Sequence, residues 1–366
     1  MLHPISPVLV EPLRAVLAFE RSVLEFACRS DLAITLSARG KPRFERGQID
    51  SHFGASAAWV WSHTSLRSPV AAVHAAVQGN PGYRQQVLAA FDNDVAFDQH
   101  IDDHGFQFAV RGLPAALLGP VKALLVLFYD LLSADGGFSA AVTGSNEVSR
   151  DALVQAFWSG NPDLKVCPAC DGKRPDSLNG RVYGHCDHHF PKGVHPALSI
   201  HPLNLVPICS ECNASFKSER DATDKSCLAE MFLPYRRPAF GPARAVVSRT
   251  ASGAIIVSIE DEPGAPPTRV EALDHVYQLL GRWHDRLHGY AKASIQNSLR
   301  YELTKWRATP GAEADHFRDL RDWFRSDRGR VPDAILREAY CEFAAGDAEE
   351  CQALASQLGN SAGGLS

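Results

Sequence analysis

The chain has 366 residues, 45% hydrophobic and 22% charged, with a net charge of −5. That is a globular composition with room for a sizeable core and about two domains. No long segment is strongly basic, which speaks against a nucleic-acid binder that relies on net charge. A local basic patch, a bound metal ion or a partner that grips the substrate stays compatible with it. The most apolar stretch, 113–132, contains Pro114, Pro120, Lys122 and Asp130, and reads as a buried core helix rather than a membrane span. The first residues show no basic region followed by an apolar one, so no secretory leader is expected, and the expected location is cytoplasmic.

Residues 11–28 are expected to form a helix, because Leu13, Val16, Leu17, Val23, Leu24 and Ala27 recur at helical spacing. Residues 29–66 are polar, and Trp59 and Trp61 alternate as in a short strand. A helical pattern over 69–91 breaks at Asn80-Pro81-Gly82. The apolar helix follows, closed by Asp135-Gly136-Gly137. Ser149 then caps a helix over 149–159 that turns Leu153, Ala156 and Phe157 inward. Residues 1–159 are thus a mainly helical unit without a recognisable motif. His100 and His104 share a helical face beside Asp102 and Asp103, but the sequence offers them no third metal ligand, and a solvated acidic loop is the better reading.

A cysteine-bracketed module, 160–240, comes next. Beyond it, 243–250 and 254–260 alternate around Ala251-Ser252-Gly253 and predict a β-hairpin. Thr268 and Glu271 are spaced as a capping box opening a long amphipathic helix. Val270, Leu273, Val276, Leu280, Trp283, Leu287, Tyr290 and Leu303 would line its buried face. Shorter helices are expected over 312–326, 333–344 and 347–358, with a disordered tail at 359–366.

Cys167-x-x-Cys170 and Cys209-x-x-Cys212 supply four thiolates at the spacing of two zinc knuckles. The remaining cysteines (Cys28, Cys186, Cys227, Cys341, Cys351) are scattered and odd in number. That argues against a disulfide framework and for small buried side chains. The gap between the knuckles holds an Asp187-His188 pair at the end of a strand-like run, 181–186, and Asn204 just before the second knuckle. Asn213 follows that knuckle's last cysteine.

These residues, as DHHFPK (187–192) and LSIHPLNLVPICSECN (198–213), resemble the HNH endonucleases of the ββα-metal fold. The resemblance spans about 50 residues, with a looser echo in MFLPYRRP (231–238). It implies a ββα-metal module over 160–240; with the patterns read above, the expected fold is α+β, a mainly helical chain around that central zinc-clamped module, with a short β-hairpin and helices after it (241–358). It implies that His188 is the general base, that Asp187 and Asn213 hold a catalytic Mg²⁺ or Mn²⁺, and that Asn204 braces the loop that orients the base. A separate structural Zn²⁺ would sit on Cys167, Cys170, Cys209 and Cys212. Lys192 and Lys217 are candidate phosphate contacts, as are Arg236 and Arg237. His189 adjoins the base but points to the other face of a strand. His185 would line the face of Asp187. His195 and His201 are expected to pack or cap, and Cys186 to be a buried neighbour of the strand.

The activity implied is hydrolysis of phosphodiester bonds, with DNA as the expected substrate. The same motif resembles nucleases of bacterial antiphage and restriction-type systems, Septu-type subunits among them, in which a partner protein such as an ATPase controls cleavage. The competing reading is a non-catalytic, zinc-clamped binding or assembly module.

Overall fold

The computed structural model describes residues 2–353 except 135, 180, 183, 184, 292, 295, 296 and 298–312. Among them the chain is mainly helical, with four separate two-stranded antiparallel sheets, an α+β arrangement.

Helix α1 (Val10–Ala27) buries the apolar stripe expected of it, together with Phe19 and Phe26. A small sheet follows, β1 (Ile34–Leu36) on β2 (Pro42–Phe44), then α2 (Arg46–Phe53) and α3 (Ala57–Ser62). The Trp59/Trp61 run is therefore helical, not extended. Two residues apart on a helix point to nearly opposite sides, and here Trp59 is buried while Trp61 is exposed. Helices α4 (Arg67–Val77) and α5 (Tyr83–Val95) lie either side of the predicted break.

Helix α6 (Ala115–Ser133) is apolar and long enough to cross a membrane by length and composition. Leu117, Val121, Leu124, Leu125, Phe128, Leu131 and Leu132 are all buried in the core. The short α7 (Ala140–Thr143) leads to α8 (Arg150–Gly160), where Ser149 Oγ accepts from the Ala152 N–H at 3.2 Å, the predicted cap.

In the cysteine-bracketed segment, β3 (Ser177–Leu178) pairs with β4 (Arg181–Val182), and β5 (His185–His188) with β6 (Leu205–Ile208). The single strand expected over 181–186 is thus two strands, with 183 and 184 outside the described residues. A π-helical turn, Glu211–Lys217, follows β6 and carries Cys212 and Asn213.

The predicted hairpin is β7 (Arg244–Arg249) on β8 (Ile255–Glu260). The long helix after it is divided. α9 (Thr268–Tyr277) ends at Gln278, whose φ of 50° is left-handed, and α10 (Leu279–Arg286) starts anew. Asp274 Oδ1 accepts from the Leu280 N–H at 2.8 Å, so a side chain supplies the new helix start. Thr268 is no capping hydroxyl; its Oγ1 donates to Glu230 Oε2 at 2.9 Å. The Tyr290 side chain, Leu303 and the tail at 359–366 lie outside the described residues. Helices α11 (Glu313–Ser326) and α12 (Ala334–Gly346) close the fold, and 348–353 are helical.

One continuous apolar cluster runs from Leu2 to Ala344 through the helical half, the cysteine-rich segment and the last helices. Remote segments converge on the first knuckle. The N–H groups of Leu2 and His3 donate to the Pro168 carbonyl, and His3 Nε2 meets Asp171 Oδ1 at 2.6 Å. Asp171 Oδ2 accepts from the Ile335 N–H at the start of α12.

Candidate functional site

The four knuckle cysteines are brought together, their sulfurs all within 4.8 Å of one another. Cys167 and Cys212 lie 3.9 Å apart. That is close to the edge of a tetrahedron with 2.3 Å metal–sulfur bonds, about 3.8 Å. The local backbone explains how. In the first knuckle the Asp171 N–H donates to the Cys167 carbonyl, and the Cys167 N–H to the Gly172 carbonyl. Gly172 lies close to both partners: a Cβ there would stand 2.8 Å from an Arg286 nitrogen and 3.1 Å from the Cys170 sulfur, so the guanidinium would have to move. The second knuckle closes with the Cys212 N–H on the Cys209 sulfur, and the Cys209 N–H on that of Cys167. Arg282 Nη1 lies 3.2 Å from Cys212 Sγ, and Arg286 Nη2 3.9 Å from Cys170 Sγ. Guanidinium donors of this kind favour thiolates, which is the form that binds metal. The cluster can hold one metal ion, and four soft thiolates suit zinc. Cys186 is buried on β5 and stands outside the cluster.

Asp187 and His188 leave β5 on opposite faces, as strand neighbours must. Asp187 turns to the Glu211–Lys217 turn. Its Oδ1 is 3.3 Å from Lys217 Nζ, with both groups buried. Its Oδ2 is buried without a partner among the described residues. Burial pushes the Asp187 carboxyl up from its ordinary range, and the Lys217 charge only partly opposes this. Asn213 lies on the same turn, partly exposed, and its amide makes no hydrogen bond among the described residues. A carboxylate oxygen without a partner and an uncommitted amide are the donor types that hard divalent ions take. Lys217 departs from its expected role. It is 1% exposed and serves as a counter-charge to Asp187, not as a free phosphate contact.

His188 turns the other way, toward α6 and the loop between the strands. Its Nε2 is 2.8 Å from the Ser199 carbonyl oxygen, so Nε2 carries the hydrogen and Nδ1 is left as the acceptor. The ring packs edge-on against Tyr129, 4.3 Å between centroids. Burial depresses the His188 pKa to about 3. Ser199 is itself held, its Oγ donating to the Leu125 carbonyl of α6 at 2.8 Å.

Asn204 is bonded into the loop between β5 and β6. It is fully buried; Nδ2 donates to the carbonyls of Phe190 and Leu198, and Oδ1 accepts from the Phe190 N–H at 2.7 Å. These bonds tie the chain just after His188 to the loop that offers the Ser199 carbonyl. Lys192 Nζ sits 4.3 Å over the Tyr129 ring and 3.4 Å from Asp130, partly exposed.

The other histidines sort plainly. His189 is buried against Met231, Phe232 and Val276, away from His188, with neither ring nitrogen hydrogen-bonded among the described residues. His195 pairs with buried Asp221 at 2.6 Å. His201 accepts from the Leu203 N–H and packs on Phe97, and His185 is exposed at the start of β5. Arg237 is structural, bonded to several carbonyls and to Asp102. The residues missed in the sequence are Tyr129, Ser199, Arg282 and Arg286. Three of them come from helices over 50 residues away in sequence from what they touch, and Ser199 acts through its main chain. No protein-family model, curated protein or solved structure matches the chain.

Proposed function

We propose that the chain is a metal-dependent HNH-type endonuclease, with 160–240 as a ββα-metal module, Zn²⁺ on the four cysteines as its frame, and DNA as its substrate. The observation that carries this reading is the state of His188: buried, held by a backbone carbonyl through Nε2, and with Nδ1 free to accept a proton. Asp187, the preceding residue on the other face of the strand, carries a carboxylate with an unpartnered oxygen among the described residues.

In this reading His188 Nδ1 takes the proton of the water that attacks phosphorus. A neutral ring is assured by burial, and the negative charge of an approaching phosphate favours the imidazolium as it forms. Asn204 and the Ser199 carbonyl hold the ring so that little orientational freedom is lost at the moment of reaction. Asp187 and Asn213 would hold Mg²⁺ or Mn²⁺, which supplies stabilisation of charge on the phosphate and the leaving oxygen when bound. Lys217 keeps the buried Asp187 carboxylate balanced. Lys192, beside the ring that flanks His188, is the exposed cation best placed for substrate phosphate. Incubation with supercoiled plasmid in Mg²⁺ or Mn²⁺ should give nicked or linear DNA, and EDTA should stop it. A zinc-loaded protein that cuts neither DNA nor RNA under any of these conditions overturns the reading.

The buried Lys217–Asp187 pair favours a second reading, a non-catalytic zinc-clamped module in which an ammonium replaces the metal. Calorimetric titration with Mn²⁺ separates the two. Binding that Asp187→Ala abolishes supports the nuclease, and absence of binding supports the module. An antiphage or restriction-type role, cytoplasmic and gated by a partner such as an ATPase, extends the proposal. Phage protection that survives His188→Ala would contradict that role.

A further inference from the structure

A second cluster of metal-ligating groups lies apart from both sites. It joins the loop after α5 to the segment after the π-helical turn. His104 Nδ1 is 3.6 Å from Cys227 Sγ and 3.5 Å from Glu230 Oε1. All three ligand atoms fall within 4.8 Å of one another. A tetrahedral zinc ion with bonds of about 2.3 Å to sulfur and about 2.1 Å to nitrogen and oxygen places its S···N edge at about 3.6 Å and its N···O edge at about 3.4 Å. The observed separations match both edges. Thr268 Oγ1 donates to Glu230 Oε2, which leaves Oε1 turned to His104.

The scaffold around these residues is built. Arg237 donates to the carbonyls of Leu228, Ala229 and Met231 on the Cys227–Glu230 side, and to the Ile101 carbonyl (2.7 Å) and Asp102 Oδ1 (3.1 Å) on the His104 side. One partly exposed guanidinium thus ties both ligand-bearing segments together. Thr268 orients the Glu230 carboxylate. Cys227 and Glu230 line a cleft that also holds Arg111, Thr223 and Lys225.

We propose that His104, Cys227 and Glu230 form a second zinc site, with three protein ligands and one open position, that clips the helical N-terminal half to the cysteine-rich segment. The thiolate–imidazole–carboxylate set selects a borderline-soft ion such as Zn²⁺ over Mg²⁺ or Ca²⁺. The site does not depend on the nuclease reading, and its test has no activity readout.

The probe is Zn²⁺ itself, measured by elemental analysis on full-length protein purified in zinc and dialysed. His104 is largely exposed, so His104→Ala should leave the fold intact. It should lower the zinc content by one ion per chain relative to the unaltered chain, and Cys227→Ser should do the same. In cobalt-substituted protein both variants should keep the thiolate-to-metal band of the four-cysteine site. Equal zinc content in the unaltered chain and in both variants would overturn the proposal. So would a loss that takes the four-cysteine cobalt band with it.

Discussion

Asn204 shows how one side chain sets the geometry of another. Its three bonds are all buried, and truncation leaves the Phe190 N–H and carbonyl without partners, while the Leu198 carbonyl keeps the His201 N–H. Asn204→Ala should cost about 2–3 kcal/mol by chemical denaturation, and should lower cleavage further than that loss explains, since the Ser199 carbonyl would no longer be fixed against His188. A variant of unaltered stability would show that the brace is incidental. The buried histidines predict acid lability. His201 stays neutral in the fold, its pKa depressed to about 3 by burial. The unfolded chain protonates it below about pH 6.5. Its contribution is therefore complete above that pH and falls by about 1.4 kcal/mol per unit as pH drops toward 3. His188 and His189 act in the same sense. Unfolding free energies of His201→Gln between pH 7 and 5 should fall less steeply than those of the unaltered chain by about that slope; parallel slopes would contradict the assignment. At this scale the sequence was informative where chemistry is rare. Two Cys-x-x-Cys pairs, Asp187-His188 and Asn204 stand out because few other uses suit those types at that spacing. Lys217 was misjudged because a lysine is almost always solvated, and nothing local reveals that an aspartate waits for it.

Helix α6 is more than core. It supplies the Leu125 carbonyl that holds Ser199 and the Tyr129 ring that flanks His188, and the Tyr129 hydroxyl donates to the Cys186 carbonyl at 2.9 Å. Ring and hydroxyl are separable. Tyr129→Phe should cost about 1 kcal/mol of stability and leave most cleavage, whereas Tyr129→Ala should remove the wall of the His188 pocket and most activity. Equal loss in both would place the function in the hydroxyl. Helix α10 serves the metal cluster in the same indirect way. Arg282 donates to Cys212 and lies 4.1 Å from the Phe216 ring centre, so Arg282→Ala should weaken zinc about tenfold in a chelator competition. Periodicity found these helices but not their partners, since an apolar stripe says which face is buried and not what covers it. It also failed where one pattern serves two structures: Trp59 and Trp61 read equally as a strand, and nothing between 268 and 287 announces the left-handed Gln278 that divides that helix.

Across the described residues, the N-terminal segment, the start of α12 and α10 all close on the first knuckle, through His3–Asp171, the Asp171–Ile335 contact and Trp283 Nε1 on the Cys170 carbonyl. A metal there would hold together segments over 300 residues apart, which is why the proposed zinc is read as frame and not as catalyst. None of this convergence was legible in the sequence, because contacts at such separation leave no local spacing. The account's central claim is that the insertion between the knuckles is an enzyme whose proton acceptor is His188. The most direct measurement is plasmid cleavage in Mn²⁺ by the unaltered chain and by His188→Ala at equal zinc content per molecule. The account predicts cleavage by the first and none by the second with its zinc retained. Equal cleavage by both, or none by a folded, zinc-loaded unaltered chain, would contradict it.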